Sequence, residues 1–369
     1  SAFLFVITIP FIGEKETESL EKRTLAEFPQ WEWNNVWKFF KAYPTYFNDH
    51  FAFRNNVIEM YGKVKYEKIG FKPVANMAIS GKNEFLFYKG EDYFKHLSTP
   101  YTQDELKQFH YNLVVTTKWF KQHGIKYYLT IPPVKGRIYY EYLPEYLKIK
   151  LKFSRLAQLK NYLTKKSTIN FIGYTDELIN QKSKRRLYYI RDTHWNEYGA
   201  FIAYKKIMKI ITKDFLEIIP EKLVDYEHTE LKMYNGDLQG LLGYKNNIYS
   251  KRVVLHRKDS ISPIISDSSL INTTGNKFEV WKSNSCNNNL RLLVFRDSFT
   301  ENLKKFLSAS FSYSSYVWDV DLSIKKINEE KPDIILHEML ERFTFHYLTL
   351  PQEIKDDTLF LKQFDIADF

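Results

Sequence analysis

The sequence predicts an α/β fold built on a mostly parallel sheet covered by helices on both faces, with a helical arm at the N-terminus. Three observations carry that expectation. Segments Ile125–Ile131, Leu290–Phe295 and Asp333–His337 are short runs, largely apolar on both faces, as buried parallel strands are. Helical apolar spacing precedes or follows them, giving the alternation of strand and helix that marks a covered sheet. Hydrophobic residues make up 44% of the 369 and aromatics 17%, enough for a large core, which excludes a disordered or collagen-like chain.

In chain order, Ser1–Gly13 is apolar and uncharged and gives way at once to charge at Glu14. It is shorter than the roughly 20 residues that span a bilayer, and it is read as the outer end of an N-terminal membrane anchor, against the alternative of a buried edge strand. Residues 14–75 form the helical arm, rich in aromatics at Trp31, Trp33, Trp37, Phe39 and Phe40. Residues 76–369 form the main domain. It opens with a hairpin over Asn76–Tyr88, turning at Ser80-Gly81-Lys82-Asn83. A helix over Thr102–Gln122 stops at His123-Gly124, and the strand Ile125–Ile131 ends at Pro132-Pro133. A helix over Leu156–Thr164, a strand over Ile169–Gly173 and a short strand over Leu187–Ile190 follow. A long helix runs from about Asn196 to Phe215, and Leu216–Asn289 reads as β hairpins. After Leu290–Phe295 a turn leads to a helix from about Thr300, and Asp333–His337 leads to a helix through Glu341.

The formal charge is +10, with the basic residues scattered apart from a run at Lys182, Lys184, Arg185 and Arg186. A solvated Lys-rich surface explains this more simply than a dedicated anion track. With no zinc finger, RNP-type segment or basic heptad helix, nucleic acid is not an expected partner. The lone cysteine, Cys286, excludes an intramolecular disulfide and any Cys-based zinc site.

In a parallel sheet, functional groups collect at the carboxyl ends of strands. Two such ends carry unusual polar sets. In Tyr188–Ala200, Asp192 and His194 stand close enough for a carboxylate to fix the imidazole tautomer and stabilise the imidazolium of a general base. In Leu290–Phe306, Ser298 follows a buried strand on a turn into a helix, near backbone N–H groups that can stabilise an oxyanion. Each set has a plainer reading: Asp192 or Asn196, and Asp297 or Ser298, as N-caps, with His194 an exposed loop residue. Acyl transfer needs a nucleophile, a base and an orienting acid from different strands, so the two together point to Asp192, His194 and Ser298. A metal is the main competitor on residue type, through Asp192, His194, Asp297 and His337. No His-Glu-x-x-His or comparable spacing is present, and no metal or other cofactor is expected.

These residues carry a family resemblance. Arg191-Asp192-Thr193-His194-Trp195-Asn196 with Phe295-Arg296-Asp297-Ser298-Phe299 resembles the DHHW family, related to the alginate O-acetyltransferases AlgX and AlgJ of the SGNH-hydrolase-like superfamily. Phe47–Arg54, Gly81-Lys82 with Leu86-Phe87-Tyr88, Ile131–Lys135, Gly236-Asp237-Leu238 and Lys331-Pro332-Asp333 with Glu341-Arg342 extend it along the chain. The resemblance implies a flavodoxin-like SGNH fold in a permuted order, with Asp-x-His before the serine. It implies Ser298 as nucleophile, His194 as base and Asp192 as orienter. It also implies a place outside the cytoplasm, acetylating an exopolysaccharide with acetyl groups supplied by a membrane-bound O-acyltransferase. Two positions depart from the pattern: Thr193 replaces the histidine that gives the family its name, directly before His194, and Arg296 stands where many SGNH enzymes have glycine. Trp195, Phe299 and Tyr139 are candidates to stack on sugar rings, and Lys135 and Arg296 to hold hydroxyls or carboxylates. The same triad also serves a carbohydrate acetylesterase, and a third reading is a non-catalytic scaffold that docks the membrane acyltransferase.

Overall fold

A computed structural model describes residues 26–51, 77–90, 93–150, 152–166, 170–233, 236–241, 250–259, 264–270, 277–284 and 288–369, with Arg54, Asn56, Val57, Met60 and Cys286 besides. The apolar stretch 1–13, residues 14–25 and 61–75 of the arm, and Asn76 at the start of the expected hairpin lie outside the described residues. Among the described residues no helix is long and apolar enough to cross a membrane. The chain divides into two units. One comprises Ser1–Glu91, Ile190–Thr193 and Met233–Ser250; the other comprises Asp92–Tyr189, His194–Lys232 and Lys251–Phe369.

In the first unit, helix α1 (Val36–His50) carries the aromatic cluster of the arm, where Phe28 packs edge-on against Phe39 and Tyr46. The predicted hairpin is present as antiparallel β1 (Ala78–Ser80) and β2 (Leu86–Tyr88), with Ile79 opposite Phe87. Asn83 and Glu84 turn the chain with positive φ. Ala78 and Leu86 pack with Leu238 in a small apolar cluster.

The second unit holds a seven-stranded sheet in the order β4-β3-β11-β9-β10-β8-β7. Its strands are β3 (Lys126–Thr130), β4 (Phe171–Ile172), β7 (Ile264–Leu270), β8 (Lys277–Lys282), β9 (Arg291–Phe295), β10 (Tyr313–Val317) and β11 (Ile334–Glu338). β4, β3, β11, β9 and β10 run parallel, and β8 and β7 close one edge antiparallel. A separate two-stranded sheet pairs β5 (Tyr226–Met233) with β6 (Ser250–Arg257). These four later strands match the hairpins expected after Leu216.

The central strands are covered on both faces. Helix α2 (Gln103–Gln122) begins with a full capping box between Thr102 and Glu105, and Gly124 follows its end at φ +74°. Its Leu106, Phe109, Leu113 and Phe120 join Leu129, Leu293, Phe295 and Ile335 in one core. By the two-residue period of strands, Tyr128, Leu292, Val294 and Leu336 face the other way and are as deeply buried. Helix α3 (Glu197–Ile211) buries Phe201, Tyr204, Ile207 and Ile211, and its Phe201 ring meets Phe306 at 5.0 Å.

Two strand assignments differ from expectation. Leu187–Ile190 is not a strand of the sheet: Tyr188 forms an isolated bridge to Trp195, so the segment folds back on its own continuation. The strand β10 had no counterpart in the sequence reading, because its Tyr-Ser-Ser-Tyr-Val lacks an apolar run. Ser314 is nonetheless fully buried, its hydroxyl bonded to Ser308 at 2.8 Å.

Candidate active site

Ser298 sits at the carboxyl end of the central strand β9, as the first residue of a 3-10 turn, Ser298–Asn302, rather than of the α-helix expected from Thr300. The helix proper is Lys304–Ser310. Two buried carboxylates hold the turn. Asp297 caps it, accepting from the Phe299 amide at 2.8 Å, while its other oxygen accepts from the Leu340 amide at 2.7 Å. Glu338, at the end of neighbouring β11, accepts from the Asp297 amide at 3.0 Å and the Thr300 hydroxyl at 2.9 Å. Burial, and then the charge of Asp297, push the Glu338 carboxyl well above the usual carboxylate range. The plainer reading of Asp297 as an N-cap therefore holds, and it places Ser298 rather than competing with it.

His194 reaches the serine from a different part of the chain. The ribbon 187–196 folds on itself through Tyr189 N to His194 O at 3.1 Å and Asn196 N to Leu187 O at 2.8 Å. Asn196 then caps α3, accepting from the Gly199 amide at 3.1 Å. A side chain at Gly199 would lie 2.9 Å from the Trp195 Cβ, so only glycine lets ribbon and helix approach this closely. Two hydrogen bonds latch the ribbon onto the serine turn: Trp195 Nε1 donates to Phe299 O at 2.9 Å, and Asn302 Nδ2 donates to Trp195 O at 2.8 Å. Between these latches, His194 Nε2 stands 2.7 Å from Ser298 Oγ, across 104 positions of sequence. Both remain partly exposed, whereas Trp195, Phe299 and Arg296 around them are buried.

The five side chains expected to touch substrate are interior, and that expectation is corrected. Trp195 is fully buried and serves as a latch. Phe299 is buried with its ring 5.0 Å from that of His194. Lys135 Nζ donates to Tyr189 O at 3.1 Å, and the Tyr139 hydroxyl accepts from the Leu187 amide at 2.9 Å, so both brace the ribbon. Arg296 is wholly enclosed among Glu279, Glu301 and the Trp318 ring, 4.3 Å from its guanidinium. None presents surface on which a sugar could stack or bond. Of the residues weighed as metal ligands, His337 has both ring nitrogens engaged, by the Tyr127 hydroxyl and by Val320 O, each at 2.8 Å. Asp297 has both oxygens on backbone amides.

Asp192 and Thr193 belong to the first unit, and the chain enters the second at His194. There Asp192 Oδ2 accepts from the Asp237 amide at 3.0 Å. The Asp237 carboxylate accepts from the Thr193 amide at 2.7 Å and from the Thr193 hydroxyl. Arg191 pairs with Glu84 at 2.8 Å, and the Leu86 amide donates to Ile190 O at 2.9 Å. Thr193 is thus held by Asp237 at both its amide and its hydroxyl. Asp237 and Glu338 were not singled out as site residues from sequence. Asp237 was visible only within Gly236-Asp237-Leu238, and nothing near Glu338 marked it.

A model of the SGNH hydrolase-like domain of the acetyltransferase AlgX matches residues 78–291, more than half of the chain. The chain belongs to this family. The match stops short of Ser298, so the serine rests on the geometry above. Among solved structures, PatB1 of Bacillus cereus is similar at 17% identity, covering 73% of this chain and 97% of that one with a TM-score of 0.56. A DHHW family protein from Eubacterium siraeum is similar at 13% identity, covering 76% and 94%, with a TM-score of 0.51. At these identities the likeness concerns the fold, which is SGNH-hydrolase-like as expected. No curated protein matches the chain.

Proposed function

We propose that this protein is an extracytoplasmic O-acetyltransferase that moves an acetyl group through Ser298 to hydroxyls of a polysaccharide. The observation that carries the reading is the 2.7 Å approach of His194 Nε2 to Ser298 Oγ at the carboxyl edge of the sheet. Ser298 Oγ attacks the acetyl carbonyl as its proton passes to His194 Nε2, which then protonates the departing donor oxygen. In the second half the acceptor hydroxyl gives its proton to His194 and attacks the acetyl-serine. The new ester leaves and Ser298 regains its hydrogen. The Ser298 amide opens a 3-10 turn and has no acceptor within it, which suits it to the oxyanion. Asp192, two residues before the histidine, is assigned to hold the Nδ1–H tautomer.

The acceptor class and the supply of acetyl by a membrane-bound O-acyltransferase rest on the family. Anchoring rests on the apolar stretch at residues 1–13. One PatB1 structure is described with a sulfonyl adduct. By analogy, a sulfonyl fluoride is expected to add one sulfonyl group to the present chain, on Ser298 alone and only with His194 intact. The decisive assay incubates the protein with an activated acetyl ester, with and without oligosaccharides, and follows acetyl by mass spectrometry. Acetylated sugar that requires Ser298 supports transfer, and rapid release to water with no sugar product supports an esterase. Full activity in both Ser298→Ala and His194→Ala would overturn the assignment.

A further inference from the structure

One face of the second unit bears a charge and an apolar display that acyl transfer does not use. A cavity of about 630 Å³ lies between α3, the residues after helix Thr175–Gln181 and the segment 221–224. Six cations line it: Lys184, Arg185, Lys205, Lys206, Lys209 and Lys222. The two carboxylates on the same wall are engaged, Glu177 by Lys206 and Glu221 by Arg257 at 3.1 Å. Among the described residues Lys184, Lys205, Lys209 and Lys222 have no ion pair, and Arg185 lies over the Tyr198 ring at 4.5 Å. Lys205 and Lys209, four apart on α3, project from one side of the helix.

The segment that carries the chain from α3 to Lys222 adds a second signal. Leu216 is 85% exposed, Ile219 74% and Val224 72%, while Ile218 between them is buried. Val224 lines the same cavity as the lysines. The exposed carboxylates on and beside this segment are Asp214, paired with Lys126 at 3.0 Å, Glu217 and Asp225. A hydrated polyanion would reward the cations and leave the three protruding apolar side chains in water. The boundary between headgroups and acyl chains rewards both, because apolar side chains enter it and lysines neutralise the anionic lipids around them.

We propose that this face docks on an anionic lipid surface, with Leu216, Ile219 and Val224 entering the headgroup layer and the four unpaired lysines and Arg185 meeting lipid phosphates. The docking is independent of acyl transfer and holds whether or not the Ser298 reading survives.

The test is sedimentation of the full chain with vesicles of phosphatidylcholine, with and without phosphatidylglycerol. Two variants are compared, Lys205→Gln/Lys209→Gln/Lys222→Gln and Leu216→Ser/Ile219→Ser/Val224→Ser. Residues 1–13 are common to all three proteins, so their contribution cancels. Partition onto phosphatidylglycerol vesicles is expected to fall about fivefold for each lysine removed, and to weaken as salt rises. The apolar variant is expected to fall on both vesicle types. Ester turnover should stay unchanged in both. The proposal is overturned if both variants partition like the parent chain. It is equally overturned if the lysine variant loses only its binding to soluble oligogalacturonate, which would assign the face to an acidic glycan.

Discussion

Replacing Gly236 by alanine should disarm the centre without touching a reacting atom. A Cβ at this position would lie 2.6 Å from the Arg191 carbonyl carbon and 2.9 Å from the Asp192 Cβ. Carbon atoms in contact prefer about 3.5–4.0 Å, so one backbone must withdraw by about 1 Å. Gly236 itself has ordinary extended dihedrals, φ −55° and ψ 154°, so the clash and not backbone strain is the perturbation. The yielding part is the segment Arg191–Thr193, held by Asp237 through its amide to Asp192 and its carboxylate to Thr193. Losing these charge-assisted bonds costs about 3 kcal/mol locally. If Asp192 orients His194, a shift of that size lowers kcat/KM about 100-fold, mostly through kcat. The assay is hydrolysis of a chromogenic acetyl ester by the variant and by Asp237→Asn, with circular dichroism to confirm folding. Asp237→Asn keeps one oxygen for the Thr193 amide and should lose less. A folded Gly236→Ala protein of unchanged kcat would refute the orienting role of Asp192.

Three further outcomes follow from the serine turn and its surroundings. Because burial disfavours the Glu338 charge and one carboxyl oxygen takes both contacts, Glu338→Gln, which keeps that acceptor, should stay within about 1 kcal/mol of the parent in urea unfolding. Glu338→Ala leaves the Asp297 amide and Thr300 hydroxyl unpaired, costing about 2–4 kcal/mol and much of the activity. Burial lowers His337 from its ordinary 6.5 to about 4, so below 6.5 the unfolded chain binds a proton that the folded one refuses. Stability is therefore lost as pH falls from near 6.5 to near 4, by about 3 kcal/mol from this residue, and His337→Gln should flatten that slope in pH-dependent unfolding. Arg296→Lys should lower stability by about 2–4 kcal/mol, because lysine cannot fill the guanidinium's place over Trp318 among two carboxylates. A raised KM at unchanged stability would instead return Arg296 to the substrate.

Much of the fold was legible because its signals are local. The capping box at Thr102, the glycine after Gln122 and the apolar runs of β3, β9 and β11 each act within a few residues. β10 escaped because its burial depends on the Ser314 and Tyr316 hydroxyls, which find partners in the helix Lys304–Ser310 that no periodicity announces. The segment Leu187–Ile190 reads as a sheet strand for a related reason. Its backbone groups pair with its own return path, and an apolar Leu-Tyr-Tyr-Ile looks the same in either setting.

The site divides along the same line. Asp192, His194 and Ser298 were readable as residue types at two strand-ends, since a nucleophile after an apolar strand and an acid two residues before a histidine are patterns of the chain. Whether His194 met Ser298 was a matter of strand order. β9 lies between β11 and β10, so Ser298 receives Glu338 as a brace from one neighbour, while the ribbon brings His194 from 104 positions upstream. The same packing turned Lys135, Tyr139, Trp195, Arg296 and Phe299 from expected sugar contacts into struts. An aromatic or cationic side chain looks alike in a cleft and in a wall, and only the neighbours that bury it, 54 positions away for Lys135 and 104 for Trp195, decide between them.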